Sequence, residues 1–137
     1  MRIWNKKLIP VLPMKQLKAM RYELGDMIKQ YPNIKHPLVK FANNYDIWYL
    51  YTYFTRVTNE YEKRMGKIYI DYNLKITKIF LSKTKLNDFS LLNDDITFIE
   101  DNADYLKICY WNLYEKAIRG VINNEEWKRI EKFYEGE

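Results

Sequence analysis

The stretch MKQLKAMRYELGDMIKQYP (14–32) decides how the rest of the chain is read. Leu17, Met20, Leu24, Met27, Ile28 and Tyr31 recur at three- and four-residue steps, which stacks them on one face of an α-helix. Pro13 suits a first helical turn and Pro32 marks the stop, so the spacing predicts a helix over 13–31. Downstream, YDIWYLYTYFTRVTNEYEKR (45–64) contains no breaker. Its length favours a helix although its aromatic and β-branched content also suits strands, and Gly66 offers a stop. IEDNADYLKICYWNLYEKAI (99–118) carries acids in its first turn, and NNEEWKRIEKFYE (123–135) opens on an Asn cap candidate, so both read as helices. KIYIDYNLKITKIF (67–80) alternates apolar and polar residues and can be read as two short strands. Residues 33–44 read as a basic connection with turn chemistry at both ends, and 81–99 as irregular and polar. The expectation is a mainly α fold. It is one compact domain over 1–137 with about four helices, irregular connections and at most one small β element near 67–80.

Composition narrows the function classes. A chain of 137 residues with 47% hydrophobic content supports one core and excludes disorder. No run of 18 apolar residues occurs, and the N-terminal stretch has no apolar signal core, so a cytoplasmic protein with no membrane partner is expected. One Cys (Cys109) and one His (His36) exclude an internal disulfide, leave no basis for a Cys/His metal site, and restrict triad-type catalysis to schemes using His36. No metal or cofactor is expected. Charge is uneven: residues 1–85 hold 17 Lys/Arg against 6 Asp/Glu, while 86–137 hold 6 against 12. A basic first part can supply phosphate contacts if the acidic remainder faces away from the polyanion. The same imbalance also fits a merely solvated surface.

Chemistry enters at Glu23. With Leu17 at zero on a helical wheel, the apolar stripe runs from about 280° round to about 20°. Glu23 falls near 240°, at the border of the stripe, beside Gln16, Ala19 and Gln30. A carboxylate there either points at water or sits at the edge of a cleft, where partial desolvation suits acid–base work.

The opening MRIWNKKLIPVLPMKQLKAMRYEL (1–24) resembles the pyrimidine dimer DNA glycosylases of the endonuclease V type. The matching residues are Arg2, Ile3, Gln16, Leu17, Glu23 and Leu24, together with the Leu-Ile-Pro-x-Leu-Pro-x-x-Gln-Leu opening at 8–17. The runs 49–66 and 101–118 are similar to the family's second and third helices. The resemblance implies a compact helical glycosylase with abasic-site lyase activity on damaged pyrimidines in double-stranded DNA. Its nucleophile is the α-amine of the first residue, which attacks the anomeric sugar carbon, and β-elimination from the resulting Schiff base nicks the strand. An α-amine, with an ordinary pKa of about 7.7–8.0 against about 10.4 for a lysine, is partly neutral at cell pH.

Carried onto this sequence, the resemblance gives Met1 as nucleophile and Glu23 as the group that stabilises the imine and shuttles protons. Residue 2 is Arg, and trimming of an initiator Met requires a small neighbour, so Met1 is expected to stay. Three positions depart from the family pattern: Tyr22 replaces an Arg, Asp26 a basic residue and Gln16 a His. DNA contacts are expected instead from Arg2, Lys6, Lys15, Lys18, Arg21, Lys35, His36 and Lys40, with Gln16 and Tyr22 beside them. Trp4 and Trp127, next to Lys128, are the rings expected near the lesion, since most other aromatics recur inside helices as core. Two other readings stay open. One is a DNA-binding protein that kept the fold without the chemistry; the other is a helical protein-interaction module. Nothing demands a dimer, so a monomer is expected.

Overall fold

The structure, a computed structural model, describes residues 1–85 and 96–136. Five α-helices run in order through them: α1 (Met14–Gln30), α2 (Ile47–Met65), α3 (Ile70–Lys83), α4 (Ala103–Ile118) and α5 (Asn124–Glu135). Short 3-10 turns occupy Lys6–Val11 and Lys40–Asn44. The mainly α expectation holds, and no strand occurs among the described residues.

The wheel drawn for the first helix is the one the core uses. Leu17, Met20, Leu24, Met27 and Ile28 are fully buried, and α1 packs along α2 through them. Several helix ends follow local chemistry. Asp46 accepts from the Trp48 amide (3.0 Å), Asn102 from the Tyr105 amide (3.0 Å) and Asn123 from the Glu126 amide (2.8 Å), each satisfying a first-turn N–H. Gly66 ends α2 with φ 69°, the left-handed conformation that favours glycine.

The β reading of 67–80 is corrected: this segment becomes α3. Its apolar residues satisfy both periods, and the helical one wins because Tyr72, Ile76, Ile79 and Phe80 reach one face. Phe80 stacks on Tyr51 at 4.0 Å and meets Trp48 edge-on at 5.0 Å. An isolated strand pair would have had no sheet to complete its backbone hydrogen bonds. α3 also approaches α1 at Gly25, where a Cβ would fall 2.1 Å from the Tyr72 hydroxyl. Of the stretch read as irregular, 81–83 still belongs to α3, and 86–95 lies outside the described residues.

The N-terminal segment does not fray. Ile3 and Trp4 are buried. The Ile3 carbonyl accepts from the Tyr105 hydroxyl, Asn5 donates to the Asn102 carbonyl (3.2 Å), and the Lys6 amide donates to Asp101 (3.1 Å). Arg64 on α2 fixes the turn that follows by donating to the carbonyls of Leu12 (2.6 Å), Pro10 (3.0 Å) and Ile9 (3.2 Å). The first five residues are thereby tied to the start of α4, with α1 alongside.

Candidate active site

This anchoring brings two distant residue types together. The Arg2 amide donates to Glu23 Oε2 at 3.2 Å, which sets the α1 carboxylate one peptide away from the Met1 amine. Around them opens a cleft of about 410 Å³. The N-terminal segment contributes Met1, Arg2 and Trp4, and α1 contributes Lys15, Gln16, Ala19 and Glu23. The facing wall is α4, through Asn112, Glu115, Lys116 and Arg119.

Glu23 is half-buried at the rim of the α1 stripe, as its wheel angle requires, and Gln16 and Ala19 line the cleft beside it. Gln16 is 8% exposed, and its amide oxygen has no hydrogen-bond partner among the described residues. Arg2 lies over the Trp4 ring (5.1 Å), a cation–π contact that holds the guanidinium near the amine. Four side-chain cations (Arg2, Lys15, Lys116, Arg119) face two carboxylates, and one of these, Glu115, pairs with Arg119 at 3.5 Å. The lining therefore carries an excess of positive charge with a half-buried carboxylate beside the amine, a combination suited to a phosphate backbone and to acid–base work. Behind the N-terminal segment, burial pushes the Tyr105 phenol and the Cys109 thiol up from their ordinary values, with the Arg2 charge opposing both shifts. Both groups therefore hold their protons as part of the packed wall.

Of the expected site residues, Met1, Arg2, Trp4, Lys15, Gln16 and Glu23 converge on this cleft. Others do not. Arg21, expected among the DNA contacts, is fully enclosed and is corrected to a core residue. Its guanidinium lies 4.7–5.9 Å from the rings of Tyr22, Phe54, Tyr61, Tyr69 and Tyr72, and it donates to Asn73 at 2.7 Å. At about 40° on the same wheel it borders the apolar stripe on the side away from Glu23. Tyr22 meets Tyr72 edge-on (5.0 Å), and Asp26 pairs with Lys29 at 3.6 Å; neither lines the cleft. Lys6 bonds Thr97 (2.8 Å) and faces a separate groove of about 470 Å³ with Lys7, Arg56 and Lys63. Lys35 and Lys40 line a third depression, and His36 Nδ1 accepts from the Leu38 amide (3.3 Å). Lys18 and Lys128 are exposed without lining any of these hollows. Trp127 is half-buried against Tyr110 and Tyr114.

The α4 wall was not anticipated as part of the site. Its signal is the spacing 112, 115, 116, 119, a polar face on a helix otherwise rich in apolar residues. Among the described residues no group of three or more His, Cys, Asp or Glu is arranged to hold a metal ion, and no helix is long and apolar enough to cross a membrane.

A family model described as pyrimidine dimer DNA glycosylase matches residues 1–75, which includes the N-terminal segment, all of α1 and all of α2. No curated protein and no solved structure matches the chain.

Proposed function

This chain belongs to the pyrimidine dimer DNA glycosylase family, and on that footing we propose that it removes damaged pyrimidines from duplex DNA and nicks the strand through an imine on Met1. The observation that supports the reading is the 3.2 Å hydrogen bond from the Arg2 amide to Glu23, which keeps a carboxylate beside the α-amine inside an electropositive cleft.

The chemistry follows from those two groups. The neutral Met1 amine attacks C1′ of the damaged nucleotide, the glycosidic bond breaks, and the base departs with the bonding pair and takes up a proton. The nitrogen then loses a proton, its lone pair forms the C=N bond as the C1′–O4′ bond breaks, and O4′ takes up a proton, so that the ring opens to a cationic imine. The Glu23 carboxylate stabilises that cation. It then accepts the C2′ proton, and the electrons released expel the 3′ phosphate in β-elimination. Water finally returns the amine and frees the sugar fragment. Arg2, Lys15, Lys116 and Arg119 hold the phosphates on either side, and the buried Gln16 oxygen can accept from a donor on the bound nucleotide. Extruding that nucleotide costs a few kcal/mol, least where a lesion has already weakened stacking.

A single-turnover assay on a duplex with one cyclobutane thymine dimer tests this reading. Glu23→Gln keeps the acceptor that holds the Arg2 amide but removes the base. It should bind the duplex within about threefold of the wild type and cut it about 10²–10⁴-fold more slowly. Equal cutting by the two proteins would refute the assignment.

A further inference from the structure

α4 carries more apolar surface than the fold consumes. Leu106, Cys109 and Leu113 are its buried residues. A second stripe points outward: Trp111 is 60% exposed, Ile118 66% and Tyr114 39%. These three recur at steps of three and four, so they share one face, and Lys107 one turn earlier extends it with a charge. Of the chain's four tryptophans, Trp4 and Trp48 are buried and Trp127 is half-buried, so Trp111 is the one the core leaves out.

The two rings of the stripe are braced by other rings. Trp111 meets Tyr114 edge-on (5.5 Å, 88°) and Tyr110 at 5.6 Å, while Tyr110 stacks on Tyr134 of α5 at 4.0 Å. Tyr114 is braced in turn by Trp127 (5.6 Å). Rings held from behind in this way lose little freedom when a flat partner lands on them.

The stripe is also continuous with the cleft. Asn112, Glu115 and Arg119, which face Met1 and Glu23 across it, lie on the adjoining face, with Glu115 about 40° round the helix from Trp111. Flat rings beside the cations of the cleft (Arg2, Lys15, Lys116) suit a polyanion that presents bases, since every base offers a π-face, while Arg119 is already paired with Glu115.

Resting on the glycosylase reading, we propose that the Trp111–Tyr114–Ile118 face of α4 is the platform on which the bases beside the opened nucleotide stack. It fills the gap that the extruded residue leaves in the duplex while the cleft holds the sugar. The face discriminates interrupted from intact duplex, and the cleft cations supply the affinity common to both.

The test compares two duplexes of one sequence, one intact and one with a single abasic site opposite 2-aminopurine. Binding is measured in a Glu23→Gln background so that nothing is turned over. Trp111→Ala should weaken binding to the abasic duplex about tenfold, leave binding to the intact duplex within twofold, and abolish the change in 2-aminopurine emission. Trp111→Phe, which keeps a ring and checks folding, should retain most of the preference. If the parent prefers the abasic duplex and Trp111→Ala keeps that preference whole, the platform is refuted and the glycosylase reading stands. If the parent shows no preference, the glycosylase reading fails and takes the platform with it. If the protein sediments as a dimer that Trp111→Ala converts to monomer, the face belongs to self-association and the proposal is overturned.

Discussion

Arg21 and Glu23 stand two positions apart on α1 and meet opposite environments. Glu23 faces the cleft, where its carboxylate accepts from the Arg2 amide. Arg21 faces inward, where the π-faces of five rings and one Asn73 oxygen replace water around a full charge. A buried guanidinium so enclosed reads as a core element, and its removal separates the two roles an arginine on this helix could have. Arg21→Met keeps most of the volume and should cost less than about 1.5 kcal/mol, whereas Arg21→Ala leaves a cavity and should cost about 3 kcal/mol or more. Urea unfolding reads both. Arg21→Met should also leave the salt dependence of DNA binding unchanged, because no phosphate contact is lost. A shallower slope would return Arg21 to the interface.

At the scale of elements, α1 is held at both ends by side chains remote in sequence. Pro13 offers no capping side chain, and Glu126 of α5 supplies the acceptor instead, taking the Met14 amide at 3.0 Å. At the other end the Lys83 ammonium on α3 donates to the carbonyls of Ile28 (2.9 Å), Lys29 (2.5 Å) and Tyr31 (2.8 Å). An anion at the N-terminus and a cation at the C-terminus both complement the helix dipole. Glu126→Ala and Lys83→Met should each lower stability by about 1 kcal/mol, and the double variant should lower it by about the sum, since the two caps share no partner. Thermal unfolding of the set checks this, and a coupled loss would contradict it. These contacts also show what a sequence leaves hidden. The α1 stripe, the Asn123 cap, the Gly66 stop and the border position of Glu23 all follow from periodicity and short-range chemistry, so they were legible. The Arg2–Glu23 bond, the Arg21 cage and the α4 wall depend on which helices become neighbours. No local period specifies that, and in 67–80 the local pattern suited two structures equally.

For the whole molecule, charge and protonation set how it behaves. Residues 1–85 carry a net +11, offset by −6 beyond them, and both the cleft, through Arg2 and Lys15, and the Lys6–Lys63 groove draw on that excess. Log Kd for duplex DNA should therefore rise steeply with log salt. Stability should respond to alkali through groups the core keeps protonated. Burial raises the Cys109 thiol above its ordinary 9.0 and the Tyr53 and Tyr105 phenols above 10.0. The folded state thus holds these protons more tightly than the unfolded one. Their stabilising effect is complete below pH 9.0, and stability falls as pH rises through 9.0 and then 10.0. A urea series across that range should show a falling midpoint, and a flat one would contradict the burial of all three groups. Untagged protein, a duplex with one abasic site, and borohydride to reduce any imine, followed by mass mapping of the adduct, decide whether Met1 is the nucleophile. The expected product is a covalent adduct on the Met1 α-amine, slowed or stalled in Glu23→Gln. An adduct on a cleft lysine such as Lys15 or Lys116, or none while the duplex still binds, would contradict that role for Met1.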